Sequence, residues 1–133
     1  MEEVQNIQNN SGQKEAAVPA EIAKKFNWGA FLLNWIWGLG NNTYITLFIF
    51  LASILAFIPF IGAFIPLGLC IWFGIKGNEW AWQNKHWDSI EHFNSVQKIW
   101  AIVGLVLAIV GFILGFLFFT VIVAAIAAGA AAK

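Results

Sequence analysis

The chain has no arginine, a single cysteine, three prolines and one tyrosine, and only 11% of its 133 residues are charged. Each shortage removes a class of protein. Seven lysines balance seven acids to a net charge of zero, so there is no basic field to hold a nucleic-acid backbone, and no nucleic-acid partner is expected. Cys70 alone makes neither a disulfide nor a CxxC site, and it reads as a small apolar filler. No HExxH, Walker or GxSxG pattern occurs, so the common catalytic signatures are missing. The polar start through Val18 lacks the basic n-region and apolar core of a secretory signal, and no cleavage is expected.

What remains is 60% apolar and unevenly distributed. A soluble domain of this size must spread polar groups over most of its surface. Here no charge falls between Lys25 and Lys76, and none between Lys98 and Lys133. Uncharged runs of that length are the signature of membrane spans, so the expected fold is an all-α integral membrane protein in contact with the lipid bilayer.

Residues 1–18 combine Gln, Asn, Ser, Gly and Glu and read as a disordered polar tail, with a membrane domain over 19–133. Pro19 suits the start of a short lead-in helix, and Asn27 suits an N-cap. Residues 28–39 are too few to cross a bilayer, which needs about 20 helical residues, so an in-plane interfacial helix is expected there. The 33 uncharged residues from Thr43 to Ile75 exceed one span; Pro59 and Gly62 predict a reversal and a short hairpin over 43–76, spanning or re-entrant. A second amphipathic surface helix is expected over 77–98, and a longer transmembrane helix over 99–124.

Aromatic placement adds a topology. Trp28, Trp35, Trp37 and Tyr44 precede or open the hairpin, while Trp72, Trp80, Trp82, Trp87 and Trp100 follow it, so all are expected as anchors at a single interface. Six of the seven lysines precede Ile99 and fall on that side, which the positive-inside tendency makes cytoplasmic, together with the N-terminus.

Phe26-Asn27-Trp28-Gly29-Ala30-Phe31, then Trp35-Ile36-Trp37, then after the hairpin Phe73-Gly74-Ile75-Lys76-Gly77-Asn78 with Trp82, resembles a family of small bacterial membrane proteins classed as a domain of unknown function. The resemblance covers about residues 24–100. It implies a multi-pass protein of the bacterial inner membrane and supplies no catalytic residue. Two departures stand out: family members often carry Tyr and Arg near Leu39 to Asn42, and the long last span is an addition.

Three residue sets are candidates for more than packing. Asp88, Glu91 and His92 lie close on one predicted helix face and could ligate a metal or exchange protons; the competing reading is a solvated face on which Lys85 pairs with Asp88. His86 lies away from that set. Asn34 and Asn78 are expected to bond across and lock the two surface helices together. Gly104, Gly111 and Gly115, the last two spaced as Gly-x-x-x-Gly, offer a face to the hairpin or to a second copy of the chain. No span holds an ionisable group, which disfavours a transporter. The leading functional expectation is a non-enzymatic protein, needing no cofactor, that presents surface helices to a membrane-protein partner or to headgroups. The alternative is a membrane-embedded enzyme subunit or a metal-binding accessory protein.

Overall fold

The computed structural model describes residues 9–132, and among these every regular element is helical. A single turn, α1 (Ala20–Ala23), leads to α2 (Trp28–Gly40); a 3-10 turn (Tyr44–Leu47) runs into α3 (Phe48–Leu55), and α4 (Phe64–Asn84) and α5 (Ile90–Ala131) complete the chain. Of these, only α5 is both long and apolar enough to cross a membrane.

Asn27 caps α2 as its position suggests, its Oδ1 accepting from Ala30 N–H at 2.8 Å. A helix forms over the expected 28–39, but it is kinked. Asn34 takes φ 29° and ψ −96°, far outside helical values, and divides α2 into two arms. Their fold-back follows from one side chain: Gln97 Oε1 accepts from Asn27 Nδ2 at 3.0 Å, while Gln97 Nε2 donates to Asn41 Oδ1 at 2.8 Å. In an unbroken helix residues 27 and 41 would stand about 21 Å apart. Both ends of α2 meeting at one amide therefore make it a V with Asn34 at its apex.

The V orients the rest. At its open end Asn27 meets Asn78 of α4 and Gln97 of α5. Toward its apex Leu32 and Leu33 lie against Gly104 of α5, Asn34 approaches Cys70 of α4, and Trp35 stacks near Phe50 of α3. Passing from open end to apex, α4 is read backwards from 78 to 70 and α5 forwards from 97 to 104. Both helices therefore leave the polar layer in the same direction, and the α3–α4 reversal at 56–63 lies further along it.

That reversal falls where Pro59 and Gly62 predict it, and Pro66 sits in the first turn of α4, where its missing N–H costs no helical bond. The hairpin limbs are unequal. The 3-10 turn and α3 supply 12 residues against 21 in α4, because α4 continues past Lys76 without a break. The amphipathic helix expected over 77–98 is thus two pieces. α4 stops at extended Lys85 (φ −137°, ψ 139°), and α5 starts afresh with Ser89 Oγ accepting from His92 N–H at 3.0 Å. The break turns Trp87 inward, where its indole donates to Ala81 O at 2.9 Å and its ring meets Phe93 edge-on at 5.0 Å.

The tail also departs from expectation. Residues 1–8 lie outside the described part, but from Asn9 onward the segment is bound to the helices. Gly12 N–H donates to Trp82 O at 2.8 Å, Trp82 Nε1 donates to Asn10 Oδ1 at 2.9 Å, and Trp87 N–H donates to Ser11 Oγ at 2.8 Å. Ser11 is buried. Composition alone missed this because the partners, the carbonyls and indole of the α4–α5 junction, exist only after folding.

Candidate functional site

The most elaborate chemistry in the molecule is a polar cluster between α2, α4 and α5. Asn27 Nδ2 donates to Asn78 Oδ1 (2.7 Å) as well as to Gln97. Asn78 Nδ2 donates to the carbonyls of Lys25 (2.9 Å) and Ile22 (3.3 Å), tying α1 to α4. Gln97 Oε1 also accepts from Trp37 Nε1 (2.8 Å), and Asn41 Nδ2 closes the circuit on Trp37 O (2.8 Å). Asn27, Trp37, Asn41, Asn78 and Gln97 are all buried, and among the described residues no buried side-chain polar atom lacks a partner. Each buried amide in the cluster is already engaged by a neighbour within the chain. The cluster fixes the register of three helices, as satisfied buried networks do. Asn78 was expected to meet Asn34; its partner is Asn27, because the kink carries Asn34 to the other end of the V, where its amide lies 3.7 Å from Cys70 Sγ. Asn41 and Gln97 carried no signal beyond being amides beside apolar runs.

The metal candidates do not converge. Asp88 and His92 approach to 3.4 Å, but the Asp88 side chain is 84% exposed, and no group of three His, Cys, Asp or Glu able to hold a metal occurs among the described residues. Asp88 and Glu91 instead border a shallow cavity of about 250 Å³ with Asn9, Pro19, Trp82 and Ser89. The competing expectation also needs correction: Lys85 does not pair with Asp88. Its ammonium donates to Gly40 O at 3.1 Å and lies 5.0 Å from the Trp87 ring centroid. His86 stands by the N-terminal strap, Nδ1 3.4 Å from Ser11 Oγ.

The indole anchors divide into two groups. Trp28, Trp35, Tyr44 and Trp72 are exposed, and Trp80 and Trp100 are half-buried. Trp37, Trp82 and Trp87 are core residues at 0–2% exposure, so they cannot serve as interfacial anchors. Nor do the rings share one level, since Trp35 sits at the apex of the V while Trp82 and Trp87 sit beyond its open end. Hydropathy does not separate an indole that faces lipid from one that fills a core; both present a large apolar body and one N–H.

Of the glycines singled out, only Gly104 packs, against Leu32 and Leu33; nothing lies within 4 Å of a Cβ placed at Gly111 or Gly115, which removes the intramolecular role expected for them. The glycines that permit helix contact are others. At Gly74 a Cβ would stand 2.0 Å from the Phe26 ring, and at Gly77 2.8 Å from the Ala30 side chain. The motif at residues 26–31 and the one at 73–78 thus interlock: ring over glycine, methyl over glycine, amide to amide.

No protein-family model matches the chain, and no curated protein or solved structure shows significant similarity to it.

Proposed function

We propose that this chain is an integral membrane protein with a structural or interaction role. Its polar base, formed by the N-terminal strap, α1 and the α4–α5 junction, is held at the surface of the bilayer for a protein partner. The carrying observation is α5: every residue from Leu105 to Ala132 is exposed, and nearly all are apolar. In water that surface would be a severe liability, whereas in hydrocarbon it is the preferred state. From Gln97 to Ala131 the helix rises about 51 Å, enough to cross a core of about 30 Å.

The hairpin supports the same reading. Phe57, Phe60 and Phe64 at its tip are 88%, 97% and 69% exposed, and Phe60 holds φ 71° with no core contact to repay it. From Asn78 to Phe64 α4 rises about 21 Å, so the hairpin enters the same hydrocarbon layer beside α5 and returns. A limb of about 21 Å falls short of the roughly 30 Å core, so on this reading the hairpin is re-entrant and α5 is the complete crossing. The bias of lysines toward the base makes that side cytoplasmic, and the resemblance of the interlocking motifs to a bacterial family suggests the inner membrane. A non-enzymatic role fits a polar cluster whose buried amides bond to one another and to the backbone.

Leu114→Arg tests insertion, because a charge at the centre of a span costs about 3 kcal/mol. The variant should shift from the carbonate-resistant membrane fraction toward the soluble or degraded fraction, whereas Lys14→Arg should not. With Cys70 replaced by alanine, cysteines placed at Lys14 and Ala132 should react with an impermeant maleimide from opposite faces of sealed vesicles. Reaction from the same face overturns the topology.

A further inference from the structure

We infer that a cleft between α2 and the first turns of α5 is a binding site for one anionic phospholipid. This rests on the membrane reading above and adds a specific ligand to it. Two adjoining hollows share Trp28, Lys98 and Ala101. The first, about 240 Å³, is the more polar and is bordered by Lys25, Asn94 and Lys98 over the buried amides of the cluster; the second, about 390 Å³, is walled by Trp28, Leu32 and Leu105.

Three observations select the occupant. Among the described residues no carboxylate borders either hollow and neither Lys25 nor Lys98 has an acidic group within 4.0 Å, so two lysines border one cavity with no ion-pair partner there. The more polar hollow lies at the Asn27–Gln97 layer, and the apolar one extends from it toward the apex of the V, in the direction taken by the bare part of α5. The cleft is therefore amphipathic along the axis on which a bilayer lipid is amphipathic. From Lys98 to Leu105 the wall runs about 10 Å, the length of roughly eight methylenes of an acyl chain. A phosphate held by the two lysines with Asn94 Nδ2 as a further donor, and the start of a chain beside Trp28, fills both hollows at once. A free phosphate leaves the larger one empty, and a zwitterionic headgroup sets its own cation against the lysines.

The full chain, purified in mild detergent, is equilibrated with equal amounts of phosphatidylglycerol and phosphatidylcholine, and retained lipid is read by native mass spectrometry. Wild type should retain phosphatidylglycerol about thirtyfold over phosphatidylcholine, the scale expected of two lysines at an anionic headgroup. Lys25→Gln/Lys98→Gln should abolish that preference, Ile102→Trp should reduce retention of either lipid by filling the groove, and Lys76→Gln/Lys85→Gln should leave it unchanged. Equal retention by wild type, or a preference that survives in Lys25→Gln/Lys98→Gln, overturns the inference. So does displacement of the lipid by millimolar inorganic phosphate, which would mark a simple anion site. Carbonate extraction of the same variants reports membrane insertion separately, so loss of the lipid site with insertion intact is distinguishable from failure of the membrane reading.

Discussion

Gln97 gathers three hydrogen bonds from three parts of the chain: Asn27, Trp37 and Asn41. Gln97→Leu would keep most of its volume but leave the Trp37 indole N–H, one Asn27 amide hydrogen and Asn41 Oδ1 unpaired in a buried layer. At about 1–3 kcal/mol for each orphaned group, a loss of about 3 kcal/mol or more is expected, visible as a lowered unfolding midpoint in detergent followed by circular dichroism. Gly74 offers a contrast in shape rather than polarity. Phe26, which covers it, is boxed by the rings of Trp28 and Phe31 at 4.8 and 5.7 Å, so it has little room to yield. Gly74→Val should cost about 1–3 kcal/mol in the same measurement, while Gly68→Val, with nothing within 4 Å, should be close to silent.

At the scale of elements, the bent α2 decides where everything else goes. Its kink rests on a non-glycine residue with positive φ, a conformation that glycine adopts without the steric penalty of a Cβ. Asn34→Gly should therefore be neutral or stabilising by several tenths of a kcal/mol, and Asn34→Leu should destabilise. A result in which Asn34→Gly costs more than Asn34→Leu would show that the amide side chain, rather than the backbone, holds the apex. The N-terminal strap makes a second element-level prediction. Ser11 Oγ is the partner of the buried Trp87 N–H, so Ser11→Ala should loosen the strap and raise acrylamide quenching of tryptophan fluorescence. Neither feature was legible beforehand. A helix-periodic apolar segment reads as straight until something sequence-distant, here Gln97, draws its two ends together, and a polar tail reads as unstructured until the α4–α5 junction offers it partners.

For the molecule as a whole, a small, densely bonded base carries a long helix that packs on α2 as far as Gly104 and is exposed from Leu105 onward. Gly111→Ile should leave the unfolding midpoint unchanged, since no neighbouring atom is displaced. The all-helical class, the reversal at Pro59–Gly62, the N-cap at Asn27 and the long apolar last helix were all determined by the sequence alone. Each follows from local rules: proline and glycine chemistry, a side-chain oxygen ahead of a helix, and a run of apolar residues whose preferred solvent does not depend on their neighbours. The tertiary structure decided which amides pair, which indoles are core rather than surface, and that α2 doubles back at Asn34. Those are matters of long-range partnership among chemically similar groups; with eight tryptophans and several amides to choose from, composition and spacing leave the pairing degenerate, and only the geometry of packed helices selects one.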